Sequence, residues 1–301
     1  MLKHDKGEKM VLIGENLNIM SKTIGPALKE RNPKPIQELA KAEAEAGVDY
    51  IDLNIGPTRK AGDELMQWVV KTVQEATDKP LSLDTTNPVA MEAGLKVCRS
   101  KALINSISLQ PDRLEQELPL VKKYNAAMVG LLWGVEGMPR DAAERGVLVA
   151  ELMYKAGEMG IANEDIWVDP ILTPVSVEIN QVKACFEFMS MLKDIAPECK
   201  STIGLSNISN GTPPHLRPYL NRTCLIMLMK YGQYSAIVDA FDSELISIAR
   251  GKRPEIVDLV YRVMDGEKPA LSSLTGEEVE YVKTVRVITG EILYSHSWLE
   301  I

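Results

Sequence analysis

The chain has 301 residues, of which 45% are hydrophobic and 25% charged, and this composition predicts a globular protein with one large core. Its formal net charge of -8 at pH 7, with no basic stripe, argues against a nucleic-acid partner, because phosphate binding needs a basic face. The first ten residues are polar, and the longest nearly apolar run, Ala126 to Val135, is too short to cross a bilayer, so we expect a cytoplasmic protein without a membrane anchor.

Eight short apolar runs with strand character recur along the chain, and a segment of helical composition follows most of them. The runs are Val11 to Gly14, Val48 to Leu53, Leu81 to Leu83, Ala102 to Ile104, Ala126 to Leu132, Ile166 to Val168, Thr202 to Leu205 and Ala236 to Val238. Eight such repeats in a chain of this length predict an α/β fold, a (β/α)8 TIM barrel over about residues 11–250.

Helix signals lie between these strands and continue after them. The segment Ile36 to Ala46 stops at a glycine, which is typical of a helix C-cap, and Asn87 with Pro88 marks another helix start. Gly204 to Pro218 is rich in proline and glycine and is expected to be an irregular loop on the active face.

The last fifty residues do not continue the repeat. Pro254 to Met264 predicts a helix, and Thr275 with Glu278 has capping-box spacing before a second one. We expect a single domain over residues 1–301 with a helical extension at about 251–301. The extension either covers the last βα unit or makes a subunit contact.

Four predicted strands end in Asp84, Asn105, Asp169 and Asn207. Because the loops after the strands of a parallel barrel form its active face, these side chains are candidates for one site. Carboxylates and amides without Lys, His or Cys suit recognition of a flat heterocycle, such as the aminopyrimidinone edge of a pterin, better than nucleophilic catalysis. A purely structural alternative stays open, since Asp and Asn at strand ends also cap helices.

The four cysteines, Cys98, Cys185, Cys199 and Cys224, form no C-x-x-C pair, and the three histidines, His4, His215 and His296, show no metal-binding spacing. We therefore expect reduced thiols and no metal site of this kind.

Six runs carry a resemblance to a known family. They are Gly14-Glu15-Asn16-Leu17-Asn18, Asp52-Leu53-Asn54-Ile55-Gly56-Pro57, Leu83-Asp84-Thr85-Thr86-Asn87, Ile104-Asn105-Ser106, Val168-Asp169-Pro170 and Gly204-Leu205-Ser206-Asn207-Ile208-Ser209. In this order and spacing they resemble the pterin-binding methyltransferases that exchange methyl groups between tetrahydrofolate and a corrinoid protein. The folate module of cobalamin-dependent methionine synthase is similar.

The resemblance implies roles for individual residues. Asp84, Asn105 and Asp169 would hold the pterin ring, and Asn207 would be the catalytic residue near N5. Further substrate contacts implied by the family pattern fall on Glu15, Asn18, Gly204, Ser206, Asn210, Arg217 and Ile237. Asn16 replaces the arginine of the family's opening G-E-R-x-N run, whereas Asp52 and Asp239 are expected to support the structure.

The implied activity is methyl transfer between 5-methyltetrahydrofolate and the cobalt of a cobalamin cofactor. The corrinoid-binding run D-x-H-x-x-G is not found around His4, His215 or His296. The corrinoid is therefore expected on a separate protein that docks transiently, and the family pattern favours a homodimer. The direction of transfer stays open, and with it the pathway: acetyl-CoA synthesis, O-demethylation of methoxyaromatics, or use of methylamines or betaines.

Three alternatives remain from the sequence. Dihydropteroate synthase shares the barrel and pterin pocket, but its basic phosphate-binding run has no counterpart at Glu15 to Thr23, and its Lys and Arg pair is missing from Gly204 to Asn210. The second alternative is a non-catalytic pterin-binding barrel. The third is an aldolase-type enzyme, which would need a metal cluster or a lysine at a strand end.

Overall fold

The computed structural model describes residues 9–58 and 60–300, so His4 lies outside the described residues. Its eight strands are β1 Val11–Gly14, β2 Tyr50–Asn54, β3 Leu81–Asp84, β4 Leu103–Ser108, β5 Ala127–Leu131, β6 Ile166–Asp169, β7 Lys200–Ser201 and β8 Ser235–Val238. All pairings are parallel, in the order β7-β6-β5-β4-β3-β2-β1-β8. The Ile237 N–H donates to the Ile203 carbonyl at 2.8 Å and joins β8 to the segment that follows β7. The predicted (β/α)8 barrel is confirmed.

Eleven helices surround the strands within the described residues. They are α1 Ile24–Glu30, α2 Pro33–Ala46, α3 Gly62–Gln74, α4 Pro88–Leu95, α5 Pro111–Tyr124, α6 Ala142–Glu158, α7 Ile179–Ile195, α8 Arg217–Lys230, α9 Ser243–Ala249, α10 Pro254–Met264 and α11 Gly276–Ile288. Local signals set their ends as the sequence predicts. Gly47, with φ of 105°, is the C-cap of α2, and Asn87 caps α4 by accepting from the Val89 and Ala90 N–H groups.

The seventh strand differs from the prediction. It covers Lys200–Ser201 instead of Thr202 to Leu205, and Leu205–Ser209 forms a 3-10 helix inside the expected irregular loop. Leu205 is buried in this helix. An apolar run alone does not distinguish a strand from a short buried helical turn, which explains the error.

The interior of the barrel is filled by a separate apolar cluster formed by Ile13, Leu103, Ala127, Val129 and Trp167. Trp167 makes edge-to-face contacts with Tyr50 and Tyr234, at centroid distances of 5.5 and 5.1 Å. Side chains alternate along a strand, so the next inward position after Ile13 is Glu15, and the one after Trp167 is Asp169. The apolar cluster therefore lies beneath the polar strand ends.

The C-terminal extension packs on the barrel. Helices α10 and α11 contact each other and α8, and Trp298 is buried with its indole N–H donating to Thr284 Oγ1 at 3.1 Å. The extension thus packs against α8, the helix between β7 and β8, and not mainly against the last βα unit, β8 with α9; a subunit contact through the extension stays a prediction. Among the described residues, no helix is long and apolar enough to cross a membrane.

Candidate functional site

Polar side chains from β2, β3 and β4 form a hydrogen-bonded network at the carboxyl end of the barrel. Asp52 is buried and accepts from Ser82 Oγ at 2.6 Å and from Asn105 Nδ2 at 3.0 Å. Two residues further along β2 and β3, at the next inward-facing positions, Asn54 Nδ2 donates to a carboxylate oxygen of Asp84. Asp84 and Asn105 are therefore held on adjacent strands by partners from β2.

Burial changes the acidity of these carboxyl groups. Desolvation, together with the charge of Asp52, raises the pKa of Asp84 to about 8, although the bond from Asn54 opposes the shift. Burial raises the pKa of Asp52 to about 6 against its bonds from Ser82 and Asn105. A ligand that donates N–H groups to such a carboxylate would favour its charged form and lower its pKa.

Asp169 stands at the end of β6, and its surroundings link β6 to β7. Its Oδ1 accepts from the Ile171 N–H at 2.8 Å, and the backbone of Gly204, which follows β7, is close enough to its carboxylate to lower its pKa. Burial raises its pKa to about 6, and these bonds and Arg145 oppose the shift. Arg145 is fully buried and donates to the Pro170 carbonyl at 2.8 Å, which fixes the turn after Asp169.

Glu15 lies on the other side of the barrel end, where β1 meets the 3-10 helix after β7. Its Oε2 accepts from Ser206 Oγ at 3.0 Å. Burial raises its pKa to about 7, and the bond from Ser206 and the charge of Arg217 partly oppose this. Arg217 donates to Ser209 Oγ at 3.1 Å, so it also anchors the 3-10 helix.

The predicted N5 residue, Asn207, lies on that 3-10 helix with its predicted neighbours. Its carboxamide lies over Gly204, where an added Cβ would be 3.0 Å from Asn207 Nδ2. Asn210 Nδ2 donates to Asn207 Oδ1 at 3.4 Å. Gly204 forms a parallel bridge with Ile237, which brings the residue predicted to pack near the ring to the same place.

Asn18 is at the same end of the barrel, but its side chain is already engaged. It pairs with Asn54 through a backbone bridge, and its Oδ1 accepts from the Met20 N–H at 2.8 Å. This carboxamide stabilises its own turn, so a substrate contact through Asn18 Oδ1 would have to share that bond.

The structure adds residues that the sequence did not single out for the site. Asn54 contacts Asp84 directly, and its spacing of two from Asp52 on one strand is a signal that could have identified it. Asn16 donates from Nδ2 to Asp239 Oδ1 at 2.8 Å and accepts from the Ala240 N–H at 2.9 Å. The residue that replaces the family's arginine thus joins the loops after β1 and β8.

Glu43 has no sequence signal for its place in the structure. It is fully buried on α2, where its Oε1 accepts from the Asn16 N–H at 3.0 Å, and burial raises its pKa to about 8.

In the described part of the chain, no group of three or more His, Cys, Asp or Glu side chains could hold a metal ion. The four cysteines are free.

Two known proteins are similar to this chain in sequence over most of its length. The chain is 28% identical over 239 residues to the methylcorrinoid:tetrahydrofolate methyltransferase of Eubacterium limosum, covering 79% of this chain and 88% of that protein. It is 27% identical over 267 residues to the methionine synthase of Mycobacterium tuberculosis, covering 84% of this chain but only 22% of that longer protein. These matches confirm the resemblance found in the motifs.

Comparisons with solved structures support the fold. Dihydropteroate synthase from Yersinia pestis has a TM-score of 0.63 at 16% identity, covering 82% of this chain and 95% of that one. The enzyme from Thermus thermophilus has a TM-score of 0.61 at 19% identity, covering 82% and 94%. At these identities the likeness concerns the barrel alone. The family model described as "Pterin binding enzyme" matches residues 15–239, and the chain therefore belongs to the pterin-binding enzyme family.

Proposed function

We propose that this chain transfers a methyl group between N5 of tetrahydrofolate and the cobalt of a corrinoid held by a separate protein. One observation carries the proposal: Asp84 ends β3 and pairs in register with Asn105 on β4, Asp169 ends β6, and Asn207 lies on the 3-10 helix after β7 with its carboxamide over Gly204. The similarity to a methylcorrinoid:tetrahydrofolate methyltransferase supports the choice of substrates.

In this proposal the acidic side holds the pterin. The aminopyrimidinone edge presents N–H donors, which the Asp84 and Asp169 carboxylates accept, and Asn105 offers a carbonyl oxygen while its Nδ2 is held by Asp52. Glu15, Ser206 and Asn210 line the other edge, with Ile237 against the ring. Asn18 and Arg217 support this wall.

The chemical step needs help at N5. A tertiary amine leaves poorly unless N5 is protonated or strongly hydrogen-bonded as its bond to the methyl group breaks. Asn207 would stabilise the positive character of N5 as it develops, which lowers the barrier selectively. An amide is not a conventional acid, so Asn207 orients and shares a proton that water supplies. In the reverse direction, the same contacts position N5 as the nucleophile.

Exposed apolar side chains around the barrel end support a protein partner. Met20 and Val177 are 85% and 77% exposed, and Val135, Trp133 and Phe241 are exposed as well. All five lie on loops that follow strands, around the predicted pterin site. A partner that brings a cobalt to N5 must cover this rim, and exposed apolar patches are typical of such interfaces.

A spectroscopic assay tests the function. Mixing the protein with methyltetrahydrofolate and protein-bound cob(I)alamin should convert the cob(I) absorption into that of methylcobalamin, and no conversion in either direction would exclude the proposal. Asn207→Ala should slow methyl transfer more than it weakens tetrahydrofolate binding, whereas Asp169→Ala should do the opposite. Equal effects on rate and binding would contradict the division of roles between these two residues.

We also propose that the chain forms a single domain, that the protein is cytoplasmic, and that it is a homodimer. Val147 and Tyr154 are 67% and 64% exposed on α6, away from the strand ends, and support a second interface. Light scattering would detect the dimer, and Val147→Arg should weaken it without changing tetrahydrofolate affinity. A wild-type chain that is monomeric at all concentrations tested would exclude the dimer.

A further inference from the structure

Arg113 joins the two backbone segments that carry Asp84 and Asn105, two of the predicted pterin-binding residues. Its Nη1 donates to the Thr86 carbonyl at 2.7 Å, and its Nη2 donates to the Ser106 carbonyl at 2.8 Å. Thr86 follows Asp84 at the end of β3, and Ser106 follows Asn105 in β4. One planar guanidinium therefore joins the two chain segments that carry Asp84 and Asn105.

The position of Arg113 is unfavourable by itself. It lies in the first turn of α5, which begins at Pro111, and the positive end of a helix dipole disfavours cations there. Its side chain is also 16% exposed, so much of its hydration is lost. The two carbonyl bonds compensate for this placement, because their geometry fits the rigid fork of arginine.

Glu117 supports Arg113 from one helical turn away. Its side chain is completely buried, and its Oε1 lies 2.7 Å from Arg113 Nη1. Neither Glu117 oxygen has a hydrogen-bond partner among the described residues. Burial raises the pKa of Glu117 to about 8, and the charge of Arg113 opposes this shift. Glu117 is therefore a third close neighbour of the guanidinium, besides the two carbonyl groups.

We propose that Arg113 is a positioning residue for pterin binding, which fixes the spacing between Asp84 and Asn105 through the Thr86 and Ser106 carbonyls. The proposal rests on the proposed function, because it needs these two side chains to bind the ring together. A displacement of about 1 Å at such a site is enough to change affinity or rate by an order of magnitude or more.

The barrel provides a matched control at its opposite end. Arg250 has a side chain 17% exposed, donates to the Met10 and Gly47 carbonyls at 2.6 Å each, and pairs with Asp49. It makes the same set of contacts as Arg113, but to segments that precede β1 and β2. Loss of Arg250 should therefore lower stability without changing the strand ends that carry the site.

The test is calorimetric titration of the full chain with tetrahydrofolate for the wild type, Arg113→Gln and Arg250→Gln, together with melting temperatures. Both variants should melt earlier, but only Arg113→Gln should bind tetrahydrofolate weaker, by about ten-fold or more. Its rate at saturating folate should change less than its affinity, because Asn207 and the partner surface are untouched. Arg113→Lys offers one nitrogen and should not restore affinity; it also replaces Arg113→Gln if that variant does not fold.

The outcomes separate the two proposals. A wild-type chain that does not bind tetrahydrofolate refutes the proposed function. Normal binding by the wild type together with wild-type affinity in Arg113→Gln or Arg113→Lys refutes the positioning role alone. Equal loss of affinity in Arg113→Gln and Arg250→Gln also refutes it, because it would show a general effect of stability.

Discussion

Replacing Glu43 by Gln should stabilise the protein, and the gain should grow with pH. Glu43 is fully buried on α2, and burial raises its pKa from 4.5 to about 8 against the bond from the Asn16 N–H. The folded pKa lies above the unfolded one, so the unfolded state binds fewer protons between these values and stability falls as the pH rises through them. Glutamine keeps an acceptor for Asn16 and does not titrate.

The magnitude follows from the same values. Keeping Glu43 neutral at pH 7 costs roughly 3 kcal/mol, since each pH unit between the ordinary pKa of 4.5 and pH 7 corresponds to about 1.4 kcal/mol while the folded pKa stays near 8. Because an unfolded chain already buries part of its surface, we expect a measured gain of about 1 to 3 kcal/mol at pH 7 to 8. Below pH 4.5, where glutamate is neutral in both states, the gain should vanish.

Urea unfolding at several pH values measures this gain. Glu45→Gln on the same helix is the control, because the side chain of Glu45 is 69% exposed. Its Oε1 lies 3.8 Å from Lys41 Nζ in a surface ion pair. This control variant should change stability by less than about 0.5 kcal/mol at every pH. If Glu43→Gln gained the same stability at every pH, or lost stability at pH 8, the conclusion that burial raises the pKa of Glu43 would be refuted.

Two further predictions concern the site and the packing around it. Burial raises the pKa of Glu15 to about 7, so the pH profile of the wild-type kcat/KM for folate should show a step near pH 7. Glu15→Gln should remove this step. A step that persists in the variant would belong to another group. Gly130→Ala should destabilise the barrel by about 1 to 3 kcal/mol, because its Cβ would overlap Leu152 Cδ2. Gly157→Ala on α6, with no atom within 4 Å of the new Cβ, should stabilise it by up to about 1 kcal/mol. Thermal unfolding compares the two glycine variants, and equal effects would contradict this account of packing.

The seventh strand shows where local sequence patterns stop being sufficient. The other seven predicted runs overlap the observed strands, because apolar stretches between helical segments fit buried parallel strands well. At residues 202–205 the same composition continues into a 3-10 helix. Its position is set by contacts with distant segments, such as Glu15, which bonds to Ser206 across 191 residues of sequence.

The candidate site was predictable to a similar extent. Polar residues that follow apolar runs are local features, so Asp84, Asn105, Asp169 and Asn207 could be named from the sequence. The structure places Asp84 and Asp169 at the ends of β3 and β6, Asn105 inside the longer β4, and Asn207 on the 3-10 helix after β7. Their partners were not predictable. A glutamate on an amphipathic helix is normally solvated, and nothing in the pattern of α2 indicates that Glu43 is buried behind β1.

The sequence by itself determined the fold class, the helix caps at Gly47 and Asn87, and the identity of the polar strand ends, because each depends on residues within a few positions of one another. The tertiary structure decided which groups meet: Asp52 with Asn105, Asn54 with Asp84, and Arg113 with two strand ends. It also decided which carboxyl groups lose water, and with that their pKa values. Desolvation is a property of the whole packed barrel, since each group is covered by segments far away in the chain.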